Sequence, residues 1–216
     1  MTGGVDLIAA VKSGDAVAVE ALLAGEPSLA ASLQDGIPAV RIALYHRQPE
    51  VLKVLLAARP PLDGLDRAAL GHSEELRREL AADPELLARR SADGFTALHY
   101  ACFFGGAAAT AALLEAGADP GAEAANPSRV RPLHSAAAAR DAECARLLLE
   151  TGADPDARQA GGFTALHAAA QHDDDALTAL LLRHGADRSL RTDEGDDARA
   201  LALASGADAV LALLVR

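Results

Sequence analysis

Aromatic side chains are scarce in this chain: two Tyr, four Phe and no Trp make up 3% of 216 residues, and there is one Met. An interior filled by large rings is therefore excluded, and the core has to be built from Ala and Leu. Lysine is nearly missing, with only Lys12 and Lys53, and no Lys/Arg cluster or basic helix face occurs. The net charge is −11, with 10 basic and 14 acidic side chains in residues 1–108 and 10 and 17 in residues 109–216. Acidity spread this broadly repels phosphate backbones, so nucleic acid and anionic membrane are not expected as partners. No run approaches the roughly 18 uncharged apolar residues of a membrane span. Asp6, Asp15, Glu20 and Glu26 interrupt the first 30 residues, which argues against a secretory signal. Cys102 and Cys144, the only thiols, are expected to be small buried residues in a reducing cytoplasm, on helices that do not face each other.

Signatures of chemistry are missing as well. The seven His form no His-x-x-x-His pair, Cys-x-x-Cys is absent, and no Gly-x-Ser-x-Gly elbow occurs. The Gly-Gly pairs at Gly3, Gly105 and Gly161 open no strand-turn-helix with a Lys. No metal, no cofactor and no catalytic residue is therefore expected. The run Asp173-Asp174-Asp175 reads as the start of a helix, where carboxylates suit the positive helix end.

What the chain does contain is a cadence. Gly94 to Ala101 reads GFTALHYA and returns as RVRPLHSA from Arg129 and GFTALHAA from Gly162; each is followed by an apolar helix and a Gly-Ala-Asp triplet. The triplets begin at Gly117, Gly152 and Gly185, and the first motif positions are Thr96, Arg131 and Thr164, so both markers step by 35 and then 33 residues. A degenerate copy follows at Asp197 to Ala200, and Asp35 to Arg41 keeps the turn and helix start but has Arg41 in place of the motif His. Weaker copies lie near Leu7 and Leu65.

This pattern resembles the ankyrin repeat, whose period is about 33 residues and whose signature is Thr-Pro-Leu-His-x-Ala. The resemblance implies an all-α ankyrin-repeat solenoid of about seven helix-turn-helix units with short hairpin loops. The units are expected at residues 1–34, 35–62, 63–92, 93–127, 128–160, 161–193 and 194–216 of one array, the last serving as a cap. Within the best copy, Asp93-Gly94 supplies a turn, Thr96 caps the first helix, Gly105 breaks it, and the second helix stops at Gly117. The resemblance also implies structural roles for His99, His134 and His167, bridging the hairpin backbones of neighbouring units. Two extra residues before Arg131 predict a longer hairpin around Asn126-Pro127-Ser128, either a tolerated elongation or a finger that closes over a ligand.

In this family the residue before the Thr position, and the residues seven and eight after it, face the concave groove where partners are held. Phe95, Phe163, Phe103, Phe104 and Tyr45 occupy those slots; only Tyr100 sits elsewhere. The resemblance therefore implies a groove wall of Tyr45, His46, Leu70, Phe103 and Phe104, with Phe95 below it. Packing against the small Ala68, Ala69, Ala138 and Ala139 is the competing explanation for the phenylalanines. Arg41 and Arg67, with His46, are candidates for an anion-recognition spot; salt bridging is the alternative.

The expected function is a non-enzymatic module holding a protein or peptide in its groove, as a cytoplasmic monomer. The alternatives are a small-molecule or catalytic pocket between units two and four using Tyr45, His46, Asp66 and Arg67, or an assembly role through an exposed last helix, Ala209 to Val215.

Overall fold

Many of the short helices begin at a side chain that satisfies a free N–H of the first turn, while others begin at Pro or Gly without one. The computed structural model describes residues 2–215, so the expected unit limits at Met1 and Arg216 lie outside the described residues. The helices come as consecutive pairs: α1 (Thr2–Ser13) with α2 (Ala16–Gly25), α3 (Ala39–Tyr45) with α4 (Pro49–Ala57), and α5 (Gly64–Leu70) with α6 (Ser73–Ala82). Next come α7 (Ala97–Tyr100) with α8 (Ala107–Glu115), α9 (Pro132–Ala139) with α10 (Ala142–Glu150), α11 (Ala165–Gln171) with α12 (Asp175–Arg183), and α13 (Ala198–Ser205) with α14 (Asp208–Leu214). Asp15, Asp141 and Asp174 each cap a second helix, accepting from the N–H of Ala18, Cys144 and Leu177 at 2.9 Å. The acidic run at Asp173 thus starts a helix, as its sequence predicts.

The first helices stack in one row and the second helices in another, which makes a helical repeat solenoid. The buried side chains separate into two blocks. One runs from Leu7 to Leu55 and the other from Leu65 to Leu214, and the seam between them is bridged by the partly buried Leu44, Leu62 and Leu70. Strand structure is slight: β1 (Leu33–Gln34) pairs antiparallel with β2 (Ile37–Pro38), and isolated bridges join Arg90 to Thr96 and Arg191 to Asp197. Between α4 and α5 the chain makes no such pairing among the described residues.

The motif histidines bridge neighbouring units. Backbone N–H groups of Thr96, Arg131 and Thr164 donate to Nδ1 of His99, His134 and His167, which leaves the proton of a neutral ring on Nε2. From there it is donated to the next hairpin, to Val130 O at 3.0 Å, Ala157 O at 3.0 Å and Leu190 O at 3.1 Å. Burial pushes His99 and His134 down to about 4, against the pull of these carbonyls. A second ladder, which no motif in the sequence marks, runs through arginines. Arg90 donates to Glu123 O at 2.7 Å, Arg131 to Arg158 O at 2.9 Å, and Arg158 to Arg191 O.

Two expectations need correction. Gly105 does not break the first helix of its unit; a π-helical turn, Ala101–Gly105, carries the helix through it, and Gly106 makes the turn at φ 75°, ψ −176°. Counted from the cap, the left-handed turn residue comes at position nine in Arg140 and Asp173, at position eight in Gly71 and at position ten in Gly106. The π turn takes in Gly105, at the position where Arg140 and Asp173 make the left-handed turn, and α8 still begins at the same distance from its cap as α10 and α12. Cys102 and Cys144 do converge, with their sulfurs 3.7 and 3.3 Å from Thr110 Oγ1, because α10 stacks on α8 beside the first helix of that unit. Burial raises both thiols, Cys144 to about 12, so neither is a reactive thiolate. The longer hairpin, expected as either a tolerated elongation or a closing finger, is pinned on both sides. Asn126 Nδ2 donates to Asp93 O at 2.7 Å, Ala125 N to Gly94 O at 2.9 Å, and Ala160 N to Ser128 O at 2.9 Å.

Candidate functional site

A pocket of about 450 Å³ opens between the hairpin turns and the ends of the first helices. Phe103 and Phe104 reach it from the π turn, Phe95 from the hairpin before α7, and Tyr45 and Arg47 from the end of α3. Val130, Ser135, Ala138 and Gln159 close the far side. The rings support one another: Phe104 meets Tyr45 edge-on at 5.5 Å and Phe103 at 4.6 Å between centroids, and Phe95 meets Tyr100 at 6.1 Å. These are favourable edge-to-face separations. All three phenylalanines are half-buried, so packing and accessibility coexist.

Tyr100, which the slot count leaves outside the groove, is the centre of the floor. It is 2% exposed and donates its hydroxyl to Asp93 Oδ1 at 2.8 Å. Tyr45, 40% exposed, crosses unit three to donate to the other oxygen of Asp93, and the two hydroxyl oxygens lie 3.2 Å apart. The missing hairpin between α4 and α5 leaves the path open. Ser91 is a third hydroxyl on Asp93. Burial works to raise the Asp93 carboxyl, but the hydroxyls of Ser91, Tyr45 and Tyr100 outweigh it and hold the group below the usual carboxylate range. Burial, and for Tyr45 its bond to Asp93, pushes both phenols up. A carboxylate satisfied this fully is an anchor for the floor and a poor base.

The remaining sequence candidates lie apart from this pocket. Arg41 is 3% exposed and inside the seam, with Nε on Asp66 Oδ1 at 2.8 Å and Nη2 on Asp63 Oδ2 at 3.5 Å. It occupies the third helical position, where other units carry His. With no hairpin in the next unit to receive that His, the longer Arg reaches the capping box of α5 instead. Its guanidinium carbon lies 5.4 Å from the Tyr100 ring centre, and its Nη1 has no hydrogen-bond partner among the described residues. Arg67 pairs with Glu79 at 2.5 Å and with Leu62 O at 2.6 Å, on the side of α6. Its cap-based position matches Tyr100, one residue away from the small-Ala slot expected for it. The anion spot of Arg41, His46 and Arg67 therefore does not assemble, and salt bridging is the role that both arginines have. Leu70 packs against the N-terminal block of the core. His46 is exposed in a smaller depression of about 170 Å³ with Lys12, Gln34 and Asp35, separated from the main pocket by Tyr45.

Among the described residues no group of three or more His, Cys, Asp or Glu is placed to hold a metal ion, and no helix is long and apolar enough to cross a membrane. The profile of a family described as Ankyrin repeats (3 copies) matches residues 65–159 and 133–216. A probable E3 ubiquitin-protein ligase of Oryza sativa subsp. japonica, XBOS31, is 35% identical over 124 residues, covering 52% of this chain and 28% of the relative. The chain thus spans little more than a quarter of that relative's length. The matched segments cover most of the sequence and coincide with the paired helices, the bridging histidines and the hairpin turns, and the chain belongs to the ankyrin-repeat family.

Proposed function

We propose that this array, counted as seven units with the limits given above, is a non-enzymatic module that holds a protein or peptide segment in its groove, acting as a cytoplasmic monomer without nucleic acid or membrane as a partner. Ankyrin repeats are protein-interaction modules in general; the groove is this chain's own argument. The observation that carries the reading is the pocket itself. In a chain with six aromatics, five of them line one opening of about 450 Å³. Accessible ring clusters of this kind mark recognition sites, because rigid aromatics supply contact area at low entropic cost. His99 and His134 also face the pocket, but both are neutral and bound to backbone, and Asp93 beneath is held ionised by hydroxyls. That favours binding over chemistry.

The test is capture from source lysate with an immobilised Phe103→Ala/Phe104→Ala double variant as control. The variant should keep its helical spectrum and lose the partner; loss of folding would assign the rings to packing alone. The second reading is a small-molecule site, favoured by one observation: the volume falls within the roughly 300–1,000 Å³ of ligand pockets. Asp66 and Arg67 take no part in such a site, since both are engaged elsewhere. Capture of a protein that a small-molecule extract fails to displace would favour the first reading.

A further inference from the structure

The pocket's charge runs against that of the chain. The sequence carries 31 acidic and 20 basic side chains, yet the walls contain Arg47 and no carboxylate. Arg47 sits just after α3 in the left-handed conformation at φ 52°, is exposed, and makes no ion pair or side-chain hydrogen bond among the described residues. Beyond Tyr45 the neighbouring depression adds Lys12 and His46, with Asp35 the one acid there. At the opposite end, Ser135 is 6% exposed and lines the pocket, and its hydroxyl has no hydrogen-bond partner among the described residues. That hydroxyl is not among the fully buried polar atoms, so it can be reached from the opening and can donate to or accept from an occupant. Because the first helices follow one another along the array, these features come in a fixed order: cation, rings, then the Ser135 hydroxyl.

We infer that the pocket takes a partner segment in which one large apolar side chain stands next to a carboxylate. The apolar group enters among Phe95, Phe103 and Phe104, the carboxylate meets Arg47, and the partner's backbone beyond the anchor bonds to Ser135. This rests on the groove being the protein-binding surface proposed above. The net charge of −11 does not oppose it at short range, since at physiological salt charges farther than about 8 Å are largely screened. Arginine suits this task because its planar fork matches a carboxylate.

The experiment selects a displayed random dodecapeptide library against the whole chain and two variants. Arg47→Glu reverses the exposed cation, and Ala138→Trp fills the pocket from an exposed position on its wall. The wild-type chain should enrich peptides with Phe, Leu, Ile or Trp within a few residues of Asp or Glu. Arg47→Glu should shift that flanking preference to Lys or Arg and weaken the best acidic peptide roughly tenfold in fluorescence anisotropy, since like charges placed together are disfavoured. Ala138→Trp should abolish the enrichment. Apolar peptides that bind wild type and lose binding to Ala138→Trp, but show no acidic preference, would overturn this inference and leave the groove reading standing. The same peptides selected by wild type and Ala138→Trp, or none selected at all, would overturn both.

Discussion

Arg41 illustrates how one residue changes its meaning with its surroundings. Its side chain and that of Asp66 are 4% and 2% exposed, and they join the two core blocks. Burial and the neighbouring Asp63 push Asp66 up to about 6, against the attraction of Arg41, so the pair is charged at neutral pH. Breaking a buried pair from one side leaves a lone charge and costs about 3–5 kcal/mol. We expect Arg41→Ala to lower stability by that order in urea denaturation, and Arg41→Met with Asp66→Leu to recover most of it. Unrecovered stability would mean that Arg41 matters through Tyr100 rather than through Asp66.

The bridging histidines set the acid limit. His99 and His134 titrate near 4 in the fold and near 6.5 when unfolded, so between those values the unfolded chain binds more protons. Stability is therefore complete above about pH 6.5 and is lost as pH falls toward 4, by about 3 kcal/mol per ring as an upper figure. Asp66 has the opposite sign and offsets part of this between pH 6 and 3.8. Thermal melts should show Tm falling between pH 7 and 4.5, with a shallower slope in His134→Gln. An unchanged slope would remove His134 from this account. The motif made the histidines' role legible; it did not reveal that Arg41 would turn inward, because the partner carboxylates belong to a unit whose pattern is degenerate.

At the scale of the element, the π turn is what aims Phe103 and Phe104. A Cβ on Gly105 would stand 1.9 Å from Ala68 O, and Gly106 holds a backbone region open essentially to glycine alone. Gly105→Ala and Gly106→Ala should each destabilise by about 2 kcal/mol or more, within the strain range for such positions. Both should also weaken ligand capture beyond what the lost stability explains. A Gly106→Ala protein with native melting would show that the turn is relaxed. The helix pairs were legible from Asp, Thr and Gly punctuation, since capping is local chemistry. The π turn was not, because α8 begins as many residues after its cap Thr96 as α10 and α12 do after theirs, so the longer first helix leaves the spacing unchanged.

At the scale of the whole molecule, the divided core predicts divided cooperativity. Leu55 and Leu148 are fully buried in different blocks. Each Leu→Ala should cost about 2–5 kcal/mol. In a quasi-one-dimensional array the damage spreads to neighbours first. Hydrogen exchange should quicken across residues 7–55 in Leu55→Ala and across 65–214 in Leu148→Ala. Uniform acceleration in both variants would mean that the seam transmits as well as the core does. The pocket spans this seam, with Tyr45 and Arg47 from one block and the phenylalanines from the other. An occupant would therefore clamp the blocks together and slow exchange in the N-terminal one.

The sequence by itself determined the repeat, the paired helices, the capping residues and the bridging histidines, because each of these depends on residues a few positions apart or on a fixed period. It also indicated that the aromatics gather along one surface. Only the tertiary structure decided that Tyr100 is the floor, that Arg41 and Arg67 are engaged within the fold, that Leu70 packs against the N-terminal block, and that Arg47 and Ser135 stand at the two ends of the pocket. Those outcomes depend on which side chains meet across a unit that lacks its hairpin. A contact of that kind is fixed by distance in space, and no periodicity along the chain encodes it.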